Sequence, residues 1–310
     1  NGNRWNGNMK GRKGSTDEGG VRSPMIINWS GKIPKGKIIN QIASGIDLLP
    51  TLKDLTGIKS QPKKPMDGIS LQPLIMEKNP SWENRNIYNY WRGKLSLRNQ
   101  NYRLDYQGQL FDMINDPGQT TDISIDRPQV VKELLEAKEH WKKTVLVELP
   151  NKDKRPFYIG HTSLQTTQIP ARDGLPHGEL KRSNRFPNCT YFTNWINQKD
   201  SITWEAEVHK AGNFEVTVYY SCEEDAVGSV FEVSFGKAKI KGKIAEAHTT
   251  EEYGAEEDRV IRQESYVKDF KPLKIGVISL QKGKGTLKIK GIKKNGRELM
   301  DFRLMLFRRL

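Results

Sequence analysis

Cysteine is nearly missing from this 310-residue chain: there are two, Cys189 and Cys222, far apart and without the close spacing of a metal site. That excludes a disulfide-stapled scaffold and a zinc ribbon, and leaves one disulfide or two thiols open. Histidine is also scarce, with five residues, none of which makes a ligand pair at helical or hairpin spacing, so His140, His161, His177, His209 and His248 are read as isolated structural residues. No apolar run approaches the length needed to cross a bilayer. The first residues, Asn1-Gly2-Asn3-Arg4-Trp5, lack the apolar stretch of a signal peptide and are expected to be an interior point of a longer chain.

What is abundant is positive charge. Fifty-one Lys and Arg against 37 Asp and Glu give a formal charge of +14, which predicts attraction to polyanions without choosing among nucleic acid, anionic membrane and acidic glycan. Lysines alternate with apolar or small residues in 237–241 and 287–290, as on the solvated face of strands. The length predicts two domains.

Short apolar segments come first. Pro24 to Trp29 predicts a buried strand, and Ser44 caps a helix whose apolar face is Ile46, Leu48, Leu49, Leu52 and Leu55 and whose end is Gly57. From Asn86 to Phe111 strand-like runs separated by polar turns predict a small antiparallel sheet. A second helix, opened by Asp126 and Pro128, carries Val130, Val131, Leu134, Leu135, Trp141 and Val145 against that sheet and a Glu139–Lys143 surface pair. Residues 150–180 are rich in proline and glycine and read as a linker or wrapping segment that holds a domain boundary. Beyond them repeated strand signals predict an all-β sandwich over 181–310, in which Lys210 to Asn213 forms a hairpin-like turn.

The segment Met9 to Pro24 carries the densest chemistry. Ser15 with Glu18 three residues on fits a capping box, so a helical turn is expected from Ser15 to Gly19-Gly20. Gly11 and Gly14 let the backbone approach a ligand, and Arg12 and Lys13 precede the turn, which together suit a tetrahedral oxyanion. The order Lys-Gly-Ser does not match a nucleotide P-loop.

Lys10-Gly11-Arg12-Lys13-Gly14-Ser15 with Glu18-Gly19-Gly20-Val21-Arg22 and Pro24 resembles the second lysine motif of the sulfatase family, within the alkaline-phosphatase-like superfamily. Similar motifs follow in order: Asp47 to Thr51, Leu55 to Ile58, Met66 to Leu71, and Leu110 to Met113 with Asp116-Pro117-Gly118. The resemblance implies that residues 1–80 are the C-terminal part of an α/β catalytic domain and 81–149 its sheet-and-helix subdomain, followed by a galactose-binding-like sandwich at 181–310.

It further implies hydrolysis of sulfate esters, with a glycan as substrate, by a formylglycine hydrate beside a calcium ion, in a periplasmic or secreted protein. Lys13 matches the lysine that binds the sulfate group. Lys10 and Arg12 are expected to be solvated, and Arg22 to pair with Glu18 or a loop carbonyl. Neither cysteine stands in the Cys-x-Pro-Ser-Arg context of a formylglycine, and the calcium carboxylates have no counterpart here, with Asn1 the one residue near that motif. The chain alone is therefore expected to be an inactive fragment.

Other readings follow from the sandwich. Arg182 to Phe186 with Tyr191, Phe192, Trp195 and Trp204 combine basic and aromatic residues suited to stacking on sugars and holding sulfates, although Trp204 reads as core. A binding protein for acidic polysaccharide is thus the alternative to an enzyme, while nucleic-acid binding finds no recognition motif. Asn28-Trp29-Ser30 and Asn188-Cys189-Thr190 are formal glycosylation sequons that overlap expected packed elements.

Overall fold

Where strand residues alternate, Leu97 and Leu104 sit opposite each other in register and so do Arg98 and Arg103, so one face of a sheet is apolar and the other charged. That sheet is an antiparallel meander of four strands, β1 (Ile87–Trp91), β2 (Lys94–Arg98), β3 (Tyr102–Leu104) and β4 (Leu110–Asp112). A computed structural model describes residues 5–59, 62–77, 80–150 and 153–310. Asn1, expected to stand just beyond the calcium motif of the resemblance rather than in it, lies outside the described residues. The chain divides into two compact units, Asn1–Asn151 and Lys152–Leu310.

In the first unit, helix α1 (Glu18–Val21) is one short turn, and α2 (Leu48–Thr56) follows a 3-10 turn at Gly45–Asp47. Helix α3 (Gln72–Met76) packs Leu74 and Ile75 with Leu71 into a small core that also takes in Leu55. Helix α4 (Pro128–Thr144) covers the apolar face of the meander, joining Leu134 to Leu97, Leu104 and Leu110. Tyr88 stacks on Trp141 with centroids 5.0 Å apart, which fixes the helix against β1. The predicted sheet, both predicted helices and the packing of the second helix on the sheet are observed.

Three expectations in this unit are corrected. Pro24 to Trp29 is not a buried strand: it has no ladder, and Met25 and Ile26 are 48% and 92% exposed. Among the described residues the first strand begins at Ile87, so no neighbour offers that segment the hydrogen bonds a strand requires. The apolar face of α2 is likewise uncovered, with Ile46, Leu48, Leu49 and Leu52 between 42% and 63% exposed. Its ends follow the sequence: Ser44 and Asp47 make the capping box, and Gly57 closes the helix at φ 70°. On α4, Glu139 pairs with Lys142 at 2.5 Å rather than with Lys143.

The second unit is a β-sandwich. One sheet runs β13 (Ala238–Lys243), β12 (Val230–Phe235), β17 (Gly283–Lys293), β10 (Ser201–Val208) and β5 (Phe157–Ile159), with β7 (Leu175–His177) also on β10. The other runs β16 (Lys271–Leu280), β11 (Gly212–Ser221), β18 (Asp301–Arg309), β9 (Phe192–Thr193) and β8 (Lys181–Arg182), with β6 (Thr166–Pro170) on β18. A two-stranded ribbon joins β14 (Glu252–Tyr253) to β15 (Val267–Lys268). Alternate residues such as Trp204, Ala206 and Val208 from one sheet, and Phe214, Val216 and Val218 from the other, fill one core.

One boundary and one turn change. Residues 157–177 are no linker but three short strands of the sandwich, with β5 running parallel to β10 and β6 antiparallel to β18. Their prolines broke the periodicity in the sequence, yet Pro170 ends β6 and Pro176 sits on a strand at the sheet margin, where a missing N–H is tolerated. Lys210 to Asn213 is no hairpin either. It carries the chain from β10 in one sheet to β11 in the other, because Val208 and Phe214 must reach the same core from opposite sides.

Candidate functional site

The charged face of the meander is built by Asn89, Ser96, Arg98, Arg103 and Phe111, which share it by register. On it lies the segment Lys10 to Gly20. Ser96 Oγ donates to the Thr16 carbonyl at 2.6 Å and Arg103 Nη1 donates to the same oxygen at 2.8 Å. Glu18 is 3% exposed and accepts from Arg98 Nε at 2.6 Å and Arg103 Nη2 at 3.3 Å. The second ion pair keeps a guanidinium that is 1% exposed charged: burial pulls its pKa down, and the Glu18 carboxylate pulls it back up.

The Asp116-Pro117-Gly118 turn holds the other side. Asp116 accepts the Thr120 and Thr121 amides at 2.7 and 2.9 Å, the Gly118 carbonyl accepts the Lys10 amide at 2.9 Å, and Gln119 Oε1 accepts the Glu18 amide at 2.8 Å. Two motifs about 100 residues apart are thus one structure. A third hub ties the Asp47 and Met66 motifs: the fully buried Asp47 carboxylate accepts from Ser44 and Ile69 amides and from Arg85, and Thr51 links Asp47 O to the Leu71 amide.

Lys13 stands at the tip of this scaffold. Ser15 N donates to the Arg12 carbonyl at 2.8 Å, closing a four-residue turn whose third residue, Gly14, has φ 91°. Ser15 Oγ accepts the Arg12 amide at 3.2 Å, so the serine closes the turn rather than capping a helix, and the helix begins three residues later at Glu18. Close packing behind the tip demands glycine: a Cβ on Gly20 would stand 2.3 Å from the Ser15 carbonyl oxygen, and one on Gly11 would stand 2.2 Å from Ser15 Oγ. Lys13 and Arg12 are exposed, while Thr16, Asp17 and Glu18 behind them are buried. Among the described residues Thr16 Oγ1 and Asp17 Oδ1 are buried without a hydrogen-bond partner.

Several roles differ from the sequence reading. Lys10 is partly buried and engaged rather than simply solvated: its ammonium pairs with Asp105 at 3.2 Å, donates to Gln109 at 3.1 Å and lies 4.4 Å from the Phe111 ring centroid. Glu18 pairs with Arg98 and Arg103 instead of Arg22, which is exposed. Nothing near Glu18 in sequence marked those arginines; the signal was two arginines in register on the non-apolar face of β2 and β3.

In the sandwich the proposed sugar platform is dismantled by burial. Phe192 and Trp195 are fully buried, Trp204 is core as expected with its Nε1 donating to the Pro170 carbonyl at 3.0 Å, and the Tyr191 hydroxyl reaches Glu252. Arg182 lies 5.2 Å over Phe192 and gives its guanidinium to the carbonyls of Arg172 and Gly174. Cys189 and Cys222 are both free thiols, and burial pushes the Cys222 thiol up. The sequon residues Asn28 and Asn188 are exposed and lie outside helices and strands. A cleft of about 280 Å³ between Asn40, Trp82, Asn84, Arg85 and Gln100 does not include Lys13.

The family model for N-sulphoglucosamine sulphohydrolase, C-terminal, matches residues 13–144, from the lysine turn to the end of α4. Bovine (Bos taurus) arylsulfatase A is 30% identical over 157 residues, covering 40% of this chain and 30% of that protein. Human (Homo sapiens) arylsulfatase D is 42% identical over 72 residues, covering 23% and 12%. The chain thus spans under a third of the length of these curated relatives. A family 35 carbohydrate-binding module from Clostridium thermocellum is similar to 46% of this chain and 98% of its own at 10% identity and a TM-score of 0.31, a likeness too loose to bear on function.

Proposed function

Because this chain belongs to the sulfatase family through its first unit, we propose that the protein carrying it hydrolyses sulfate esters and that Lys13 holds the sulfate group. The observation that carries the assignment is the lysine's place: an exposed residue on a four-residue turn, with left-handed glycines at 11 and 14, fastened to a buried scaffold. A side chain so mounted brings positive charge to the nonbridging oxygens and meets the charge that grows there as the S–O bond breaks. Hydrogen bonds between Arg12 and Ser15 hold the turn without any ligand contact, which favours a small reorganisation in the reaction. Arg12 beside it adds to the same positive field.

The resemblance implies a calcium ion and a formylglycine, and these residues do not fit either group. Among the described residues no three His, Cys, Asp or Glu side chains converge to hold a metal ion. Cys222 is buried with its thiol pushed up, and Cys189 is followed by Thr190 and Tyr191, so neither is placed as the precursor of a nucleophile. The steps assigned to this chain are therefore binding and charge stabilisation.

A sulfated glycan is the proposed substrate class, supported by the +14 charge, and an extracytoplasmic setting accompanies that choice. Among the described residues no helix is long and apolar enough to cross a membrane. Turnover of 4-nitrophenyl sulfate by the full gene product, with and without Lys13→Ala, tests the role. Losing one preorganised donor of this kind lowers kcat by roughly 10²–10³. Unchanged turnover in the variant removes Lys13 from the site.

A further inference from the structure

The hairpin joining β1 to β2 turns on two residues, Arg92 and Gly93, both with positive φ, at 46° and 85°. A two-residue turn of that form favours asparagine or glycine first, since a Cβ there crowds its own backbone. Arginine in that place is strained, and the strain does nothing for the fold that glycine would not do better. It does place the Arg92 guanidinium 5.5 Å from the ring centroid of Trp91. Trp91 is 50% exposed and, among the described residues, belongs to no hydrophobic core, so much of its apolar surface is held in solvent. Nearby on the same hairpin, Lys94 lies 4.7 Å from the ring of Tyr106, itself 40% exposed.

The hairpin stands beside the lysine turn. A Cβ built on Gly14 would lie 3.8 Å from Trp91 Nε1, so the indole borders the residue that follows Lys13. We propose that Trp91 and Arg92 form a recognition site for an anionic sugar next to Lys13, with the indole stacking on the ring and the guanidinium taking a sulfate or carboxylate of that unit. An aromatic face suits the C–H side of a pyranose, and a planar guanidinium suits the two oxygens of an oxyanion. With one anion at Lys13 and a second at Arg92, the substrate class narrows to a glycan carrying negative charge on neighbouring units. This rests on the sulfatase reading above for the role of Lys13, while the hairpin site itself is defined by Trp91 and Arg92.

The test uses the full gene product and its Arg92→Gly and Trp91→Ala variants, with an array of heparin, chondroitin sulfate and carrageenan oligosaccharides as probes and 4-nitrophenyl sulfate as the small substrate. Arg92→Gly keeps the turn, because glycine adopts positive φ readily, so its unfolding temperature stays at or above the parent's. Both variants are expected to weaken binding of the best-retained oligosaccharide about tenfold, Arg92→Gly by losing one charge-assisted contact and Trp91→Ala by losing one stacking contact. The fall in kcat/KM for that oligosaccharide is expected to exceed the fall for 4-nitrophenyl sulfate severalfold.

No retention of any array member by the parent, or equal affinity in parent and variants, overturns the site. If Lys13→Ala abolishes aryl sulfate turnover while the hairpin variants bind glycan as the parent does, the hairpin proposal fails and the sulfatase reading stands. If the parent turns over no sulfate ester yet Arg92→Gly loses glycan affinity, the reverse holds.

Discussion

Replacing Glu18 by Gln removes one negative charge from beneath the lysine turn and leaves the shape of the side chain. Glu18 is 3% exposed and sits between Arg98 and Arg103, the latter 1% exposed, so the substitution strands two guanidiniums with half a partner. Each pair at such distances is worth about 4 kcal/mol of Coulomb energy at an effective dielectric near 20, and desolvation offsets much of it. Breaking a buried pair from one side costs roughly 3–5 kcal/mol, because the surviving charge is left in a poor solvent. Glutamine still accepts one hydrogen bond, so the lower end is expected.

For a unit of this size that loss lowers the unfolding temperature by about 6–12 °C. Calorimetry of the whole chain, with the transition of the first unit followed separately from the sandwich, is the assay. Glu139→Gln, which loosens only the exposed Lys142 pair, is the control and should leave the transition where it was. Salt should not rescue Glu18→Gln, since buried pairs are weakly screened. A shift indistinguishable from the control would refute the claim that this ion triad supports the site.

Gly20→Ala pushes a methyl group to within 2.3 Å of the Ser15 carbonyl and 2.7 Å of the Arg12 carbonyl, so the turn bearing Lys13 must open. We expect a loss of about 1–3 kcal/mol by urea denaturation and, under the sulfatase proposal, a fall in aryl sulfate turnover by the full gene product steeper than the stability loss explains. In the sandwich, burial first, then the neighbouring Cys222 and Glu246, pushes Tyr220 up to about 12 from 10.0. A raised value means that its contribution is whole below pH 10 and is lost as pH climbs from 10 toward 12. Tyr220→Phe should flatten the decline of stability across that alkaline window, at the expense of about 1 kcal/mol near neutrality for the hydrogen bond to the Glu246 carbonyl. An unchanged pH profile would discount the tyrosine.

Local patterns in the sequence determined much of this protein without help from the fold. The alternation in β1 to β4, the helical spacing in α4, and the Ser44 and Gly57 ends of α2 are short-range rules, so they were legible and held. The lysine turn was legible through its glycines and its likeness to a family motif, although the serine that resembled a cap closes the turn instead. Burial of the sandwich aromatics could not be read from composition: Trp195 and Phe192 look like a sugar platform until two sheets close over them.

Tertiary structure decided what joins distant segments. Glu18 reaches arginines 80 and 85 residues away, Lys10 reaches Asp105, and Val208 and Phe214 enter one core from opposite sheets. Such pairings depend on which strand lies beside which, and hydrophobic period alone does not carry that information. The same holds for the exposed Met25, Ile26 and α2 face, whose apolar residues read as buried because period reports a preference for a partner and not the partner's presence.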